Sequence, residues 1–437
     1  MNTVDTATIF ALSSGGLPSG VAVVRLSGPQ CLTVLSQLTG KTPAPGLVKV
    51  GNICDPADGS LIDHGIFLYF AAPRSFTGED CAEFQIHGGQ AVVAKLLSVL
   101  SAQPGLRLAE EGEFSRRAFE NGKLDLTEIE GLSDLLAAET EAQRRQAAAH
   151  ADGHFRHKLE NWRERLVECR AYLEAEFDFS DEDDVPDSMR DHIHSVCSSL
   201  LADLSDGLED ANAGEIIRSG FKVALLGPPN SGKSSLLNAL AGRDMAITSS
   251  IAGTTRDILE CKIDIAGVPV VLLDTAGIRE SGDEIEQEGI RRALYSADEA
   301  DLVLWLSPVD SPADPPSNLP NAKVVHSKSD VDLLVAGSDL SINTIHDDGL
   351  SELVSFLKSV VDGYVGSNVP LVTRERHRVQ LLLCSQHLST GLDFIHENGV
   401  LAAEELRLAG DCLGRLTGKV DVEDLLDVIF SKFCVGK

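Results

Sequence analysis

The sequence predicts a multidomain protein of the α/β-plus-α class: an α+β N-terminal module, a helical domain, and a doubly wound α/β domain inserted in the helical one. Three observations predict it. The apolar run Val223–Leu226 passes through the glycine-rich GPPNSGKS at 227–234 into a helical pattern, and strand and helix patterns then alternate to about residue 368. Apolar residues at helical spacing flank that domain on both sides, from Glu113 to about 213 and again after Pro370. Short apolar runs broken by glycine and proline fill the first 118 residues. The boundaries read as 1–118, 119–215, 216–370 and 371–437, with the helical domain in two parts.

In the first module, Val21–Val24 reads as a strand ending in Arg25, and Leu61–Phe70 contains another. Glu83–Ile86 leads through His87-Gly88-Gly89 into a helix from Gln90 to Leu100. The polar loop Pro73–Asp80 is the kind of segment that carries function on a rigid scaffold. By themselves Arg25, Glu83 and His87 read as solvated or satisfied structural groups. From Glu113 the period becomes helical. Leu126, Ile129, Leu132, Leu135 and Leu136 share one face, and Trp162, Leu166, Cys169 and Leu173 share the next. The acidic run Glu174–Asp187 reads as a solvated turn, and Gly214 as the hinge before the inserted domain.

GPPNSGKS is a GxxxxGK[ST] loop in its proper setting between strand and helix. Gly227 and Gly232 let the backbone curl so that its N–H groups face phosphate oxygens. Lys233 supplies a charge for the β/γ-phosphates and Ser234 a hydroxyl for Mg²⁺. The helix behind them aims its positive end at the same anion. Downstream, Val270–Leu273 ends in Asp274-Thr275-Ala276-Gly277: an acid for the Mg²⁺ shell, and a glycine N–H for the γ-phosphate that doubles as a switch pivot. Between them lie Ser249, Ser250, Ile251, Ala252, Gly253, Thr254 and Thr255, with threonines suited to closing over Mg²⁺ and phosphate. That order spells a switch-type nucleotide hydrolase. The contact set is Asn230, Ser231, Gly232, Lys233, Ser234, Ser235, the 249–255 stretch and 274–277, with Mg²⁺ on Ser234 and Thr255.

Base choice rests on Ser327-Lys328-Ser329-Asp330, which follows the strand Val324–His326 and resembles the guanine-reading [NT]KxD motif. Asp330 can accept from guanine N1–H and the N2 amine, and Lys328 can lay its stem along the base. Ser327 stands where asparagine is usual. Ile342-Asn343-Thr344-Ile345 stands where a Ser-Ala-Lys-type loop is usual, although a backbone N–H there still suits guanine O6. The expectation is GTP, loosely bound. The Pro-rich 307–320 reads as an irregular surface loop.

After Pro370 three helices are expected, Arg374–Ile395, Leu401–Leu416 and Val422–Phe430, packing back on the earlier helices. A net charge of −30 argues against strong non-specific nucleic-acid binding by this chain, so such a role needs a local patch or a partner. No 18-residue apolar span and no basic leader occur. Nine scattered cysteines without zinc-ligand spacing suit reduced thiols, and the expectation is cytoplasmic.

Four stretches together resemble the MnmE (TrmE) family of bacterial tRNA-modification GTPases. They are SFTGED with HGG within 75–89, GEFSRRAFENGKLDL at 112–126, the 216–370 domain, and DLLDVIFSKFCVGK at 424–437. The likeness covers nearly the whole chain. It implies a homodimer formed through the N-terminal domain, which binds 5-formyl- or methylene-tetrahydrofolate. It also implies a flavoprotein partner, MnmG, in a heterotetramer, and a tRNA whose wobble uridine gains a carboxymethylaminomethyl-type group at C5. Arg25, Glu83, Lys123 and Lys437 match the family's folate positions, and Cys434 its tail cysteine. For Cys434, chemistry near the one-carbon unit and simple packing both remain open.

The same resemblance implies a K⁺ site on Asn230, Ser249, Ile251 and Thr254. The cation would do the work of an arginine finger, since Ile278 stands where Ras-type proteins carry their water-positioning glutamine. Glu286 matches the acid that orients water, giving Glu286, Lys233 and Cys434 as the catalytic set. Two rivals stand beside this. A ribosome-assembly GTPase would carry a GXXG RNA-binding loop or a basic appendage, and neither is found. A degenerate nucleotide-sensing scaffold would fit Ser327 but not the intact Lys233, Ser234, Thr255 and Asp274.

Overall fold

The computed structural model describes residues 7–178, 187–242, 247, 260–274, 295–317, 319, 322–328, 340–343, 347–366, 368–420, 426, 429–431, 433 and 435–436. The chain divides into two units, the first built from 1–133, 155–160 and 413–437, the second from 134–154 and 161–412.

The first unit is organised on a six-stranded sheet in the order β3-β4-β5-β2-β1-β6. The strands are β1 (Thr8–Leu12), β2 (Ser19–Ser27), β3 (Lys49–Cys54), β4 (Leu61–Phe70), β5 (Cys81–Gly88) and β6 (Leu106–Leu108). Neighbours run antiparallel except β1 and β6. Strand side chains alternate between faces, so Ala22, Val24, Leu26, Phe84 and Ile86 all turn to one side. There they are buried beneath α1 (Cys31–Thr39) and α2 (Gln90–Ser101). The intervening residues, Arg25, Ser27 and Glu83, face the other way. On that side Ile9, Ala11, Ala109 and Phe114 form a second, smaller core with Phe76 against it.

Helices α3 (Glu113–Glu120) and α4 (Leu126–Ala137) follow. Asp125 accepts from the Glu128 N–H at 2.9 Å while the Glu128 carboxylate accepts from the Asp125 N–H at 2.8 Å, a reciprocal cap that starts α4. Burial pushes the Asp125 carboxyl above its ordinary range, against the hydrogen bonds it accepts. The last residues return to this unit. Phe430 and Phe433 pack with Ile129, Val435 bridges to Glu111, and the Ser13 hydroxyl donates to Gly436 O at 2.8 Å. At φ +102°, and with Leu12 O against the space a Cβ would fill, position 436 accepts only glycine.

The second unit opens with α5 (Glu141–Ala151), the part of α6 (His154–Asp178) from Asn161 onward, α7 (Asp187–Glu209) and α8 (Ala211–Ser219). Trp162, Leu166, Cys169 and Leu173 are buried, as are Ile193, Cys197, Leu200 and Leu204 at the same spacing on α7. A five-stranded sheet follows in the order β11-β10-β7-β9-β8. It comprises β7 (Phe221–Leu226), β8 (Glu260–Ile265), β9 (Val268–Asp274), β10 (Leu302–Pro308) and β11 (Lys323–Ser327). It is parallel apart from β8, an antiparallel edge strand that the sequence pattern had not disclosed. Strands covered on both faces are near-continuously apolar. Here the covering helices are α9 (Lys233–Ala241) and α10 (Asp347–Tyr364), whose Leu236, Leu240, Leu353 and Leu357 join the core. Finally α11 (Glu375–Phe394) packs along α7, and α12 (Gly399–Thr417) follows.

Two expectations need correcting. Gly214 is not a hinge: it lies inside α8, and a Cβ there would collide with Val372 O, so the glycine permits a close backbone crossing. Leu136 does not join the apolar face of α4, being 53% exposed near the helix end. Most of the 174–187 acidic run and of the 422–430 helix lies outside the described residues. Among the described residues no helix is long and apolar enough to cross a membrane.

Candidate functional site

β7 delivers the chain to the glycine loop, and the geometry there is demanding. Gly227 has φ +150°, and a Cβ on it would lie 2.5 Å from Leu306 O on the neighbouring β10. Asn230 at φ +60° and Gly232 at φ +95° complete the curl, and Gly232 is the N-cap of α9. Left-handed backbone at a non-glycine residue costs energy and marks positions held for a purpose. Ser231 is fully buried, whereas Asn230, Ser234 and Ser235 are exposed. Lys233 turns its Nζ into the loop, donating to Gly227 O at 2.9 Å and Pro228 O at 3.0 Å. Asp274 ends β9 in register with Leu225, so its backbone stands at the same edge of the sheet as the glycine loop. This is the edge where ligands bind in open α/β sheets.

Ser327 ends β11 at that edge, only 3% exposed. Its hydroxyl donates to Ser231 O at 2.6 Å. The serine thus ties the base-side loop to the phosphate loop from a buried position. Lys328 follows at φ +60° with Nζ 3.0 Å from Asp310. Ile342 is a core residue whose N–H donates to His326 O at 2.7 Å.

A second constellation occupies the face of the six-stranded sheet opposite α1 and α2. Arg25 and Glu83 are cross-strand partners, paired at 2.9 Å with side chains 20% and 16% exposed. Phe76 lies over the Arg25 guanidinium, 5.4 Å to the ring centroid. Lys123 runs beside Gly78, whose added Cβ would come within 3.2 Å of the lysine Cγ. Arg117 sits beneath the loop, donating to Glu79 at 3.0 Å and Glu113 at 2.9 Å, and Arg107 donates to Glu113 at 2.6 Å. Burial pushes the Glu113 carboxyl up, but hydrogen bonds from Arg107, the Glu110 N–H and Arg117 outweigh it and hold the group below the usual carboxylate range. Ser27 bridges Glu79 and Thr77, each at 2.7 Å. His87 is satisfied by Asp63 at 2.9 Å, as its sequence setting suggested.

Comparison with known proteins extends over almost every residue. The family model for the TrmE N-terminus, described as a GTP-binding protein, matches residues 8–123, and the MnmE helical domain matches 126–434. The tRNA modification GTPase MnmE of Rhizobium johnstonii is 49% identical over 434 residues, covering 98% of this chain and 99% of that protein. The one from Azorhizobium caulinodans is 46% identical over 436 residues and covers both chains fully. The one from Agrobacterium fabrum is 47% identical over 437 residues, 98% and 99% of the two chains. The chain belongs to the MnmE family. It is therefore a GTPase of the tRNA-modification class with a P-loop α/β domain.

Within this MnmE chain, the described structure gathers Asn230 to Ser235, Asp274 and Ser327 at one sheet edge. Glu286, Cys434, Lys437, Asp330, Ser249 to Thr255 and Thr275 to Gly277 lie outside the described residues. Sequence reasoning missed Phe76, Glu79, Glu113 and Arg117. The Glu113–Arg117 pair at i,i+4 was a visible signal for the last two. Nothing local announces that Phe76 covers an arginine from another strand.

Proposed function

We propose that this chain is a K⁺-dependent, dimerisation-activated GTPase. With the flavoprotein MnmG it installs a carboxymethylaminomethyl-type group at C5 of the wobble uridine, using a tetrahydrofolate one-carbon unit. The observation carrying this reading is the presence, in one family chain, of a formed phosphate loop and a separate Arg25–Glu83 face under Phe76.

The residues present fit the groups this requires. The curled loop and Lys233 suit a triphosphate, with Ser234 and Thr255 for Mg²⁺, and Asn230, Ser249, Ile251 and Thr254 for K⁺. At the sheet face, the guanidinium of Arg25 and the ammonium of Lys123 suit a folate's carboxylates, and Lys437 matches a further folate position of the family by sequence. Glu83 suits pterin N–H groups, and the Phe76 ring gives the pterin an apolar surface. Tetrahydrofolate supplies the one-carbon unit when bound, and Cys434 and Glu286 complete the catalytic set. We assign 1–118 to folate binding and dimerisation, 216–370 to the GTPase domain, and 119–215 with 371–437 to the helical domain. Exposed Val48, Val50 and Leu61, on and beside β3 and β4, support pairing with a second copy. Cytoplasmic location and a basic tRNA surface lying mainly on MnmG accord with the acidic chain.

The test is GTP turnover by the purified chain in KCl against NaCl, with ATP as control. Faster GTP turnover in K⁺ and none with ATP is the expected result. Equal, negligible rates would instead support a degenerate nucleotide-sensing scaffold. Asn230→Ala is expected to abolish the K⁺ stimulation while leaving nucleotide binding largely intact; undiminished stimulation would remove Asn230 from the cation site.

The tail cysteine has its own test. Cys434→Ser is expected to leave hydrolysis unchanged and to abolish wobble-uridine modification in cells lacking another copy, read by mass spectrometry of tRNA nucleosides. Normal modification would leave Cys434 only a packing role.

A further inference from the structure

Helix α5 holds the inserted α/β domain at both ends, through one backbone N–H and three side chains that reach backbone carbonyls. At its start Thr140 and Gln143 form a reciprocal cap. The Ala142 N–H, one of the first-turn donors a helix cannot use internally, donates to Gly267 O at 3.0 Å. Gly267 belongs to the two-residue turn Ala266–Gly267, both at positive φ, that joins β8 to β9. Lys262 of β8 adds an ion pair to Glu139 at 3.1 Å. Further along, Gln143 Nε2 donates to Arg218 O at 3.1 Å and Gln146 Nε2 to Gly214 O at 3.0 Å. His150 Nε2 lies 3.1 Å from Pro370 O, and Arg218 Nε donates to Thr373 O at 2.8 Å. The helix therefore grips the hairpin tip and both places where the chain enters and leaves the α/β domain. Its inner face borders a small polar cavity, where Gln146 Oε1 is buried without a hydrogen-bond partner.

The hairpin gives this grip its meaning. β8 follows the 249–255 stretch and β9 runs into 274–277, the two stretches assigned to the γ-phosphate side. A two-stranded ribbon thus joins them, with its tip on α5. We propose that α5 is the strut by which nucleotide occupancy at the phosphate loop reaches the junction of α8 with residues 370–374, with Ala142, Gln143 and Gln146 as positioning residues. The proposal rests on the GTPase assignment. A ligand shifts a distant element only through contacts that differ between two states, and the α5 contacts form one continuous route from the hairpin tip to that junction, beside the direct packing of α8 on β9.

Hydrogen exchange on the full chain, with and without a non-hydrolysable GTP analogue, tests it. Ala142→Pro deletes the N–H that reaches Gly267 at a first-turn position where proline is tolerated. Gln146→Met deletes the second grip while keeping helix propensity, and thermal melts of both variants check folding. In the parent chain the analogue is expected to protect 227–240 and to alter exchange at 211–219 and 370–374. In the variants protection at 227–240 persists while the remote change falls by about fivefold or more. A remote change that survives in both variants, or is missing from a parent chain protected at 227–240, overturns the strut. No protection at 227–240 in the parent overturns the nucleotide assignment and the strut with it.

Discussion

Alanine in place of Lys233 is expected to lower GTP turnover about 10²–10³-fold, measured as phosphate release by the purified chain in K⁺. Lys233 is the first residue of α9, and its Nζ is held inside the glycine loop by Gly227 O and Pro228 O, with Ser231 Oγ at 3.4 Å. Those carbonyls fix a positive charge in the hollow where phosphate oxygens arrive, so little reorganisation is needed when negative charge develops. Alanine is the best helix former, so α9 and the fold should be undisturbed. Lys233→Arg should also lose activity, because a planar guanidinium does not fit a site built around a compact ammonium. Full turnover in either variant would separate the loop from the reaction.

Arg117→Met is expected to cost about 3–5 kcal/mol of unfolding free energy, since it strips a partner from two carboxylates and leaves Glu113 buried. The arginine is 7% exposed and braces the Phe76 loop through Glu79, so the same change should weaken any ligand bound over Arg25. The pH dependence carries a sign that can be checked. Glu113 is held below its unfolded value in the native state, so its contribution is present above the ordinary glutamate range and is lost as pH falls through the native value. The parent should lose melting temperature on acidification through that window. The variant, less favourable to the charged carboxylate, should show a flatter or reversed slope. Equal slopes would show that Arg107 and the Glu110 N–H suffice to hold the group ionised.

What could be read directly was whatever depends on short-range pattern. The phosphate loop, the buried strands beside it and the helical face through Trp162 and Leu173 all follow from residue type at fixed spacing. What could not be read was set by residues distant in sequence. Gly214 looks like a hinge until Val372 is placed against it, and the link from the Ser327 hydroxyl to Ser231 O joins residues 96 apart in the chain. The likeness to MnmE pointed to Arg25 and Glu83, but only the pairing of β2 with β5 explains their joint position. The brace of Arg117 with Glu79 and Glu113 needs the folded loop before it has any meaning.

The packing of Phe430 and Phe433 onto Ile129 and Phe119 also orders events during synthesis. Residues 8–108 contain all six strands of the first sheet and its two helices, so that layer can form on the emerging chain. The patch around Phe119, Leu124 and Ile129 must then wait for its aromatic cover. The delay is roughly 310 residues, or about 15–60 s at about 5–20 residues per second. During that interval a greasy surface stays wet while the whole second unit is translated. Chaperone contact with the nascent chain should therefore concentrate there, and a ribosome stalled before residue 426 should hold a first unit that captures apolar probes which the released chain ignores.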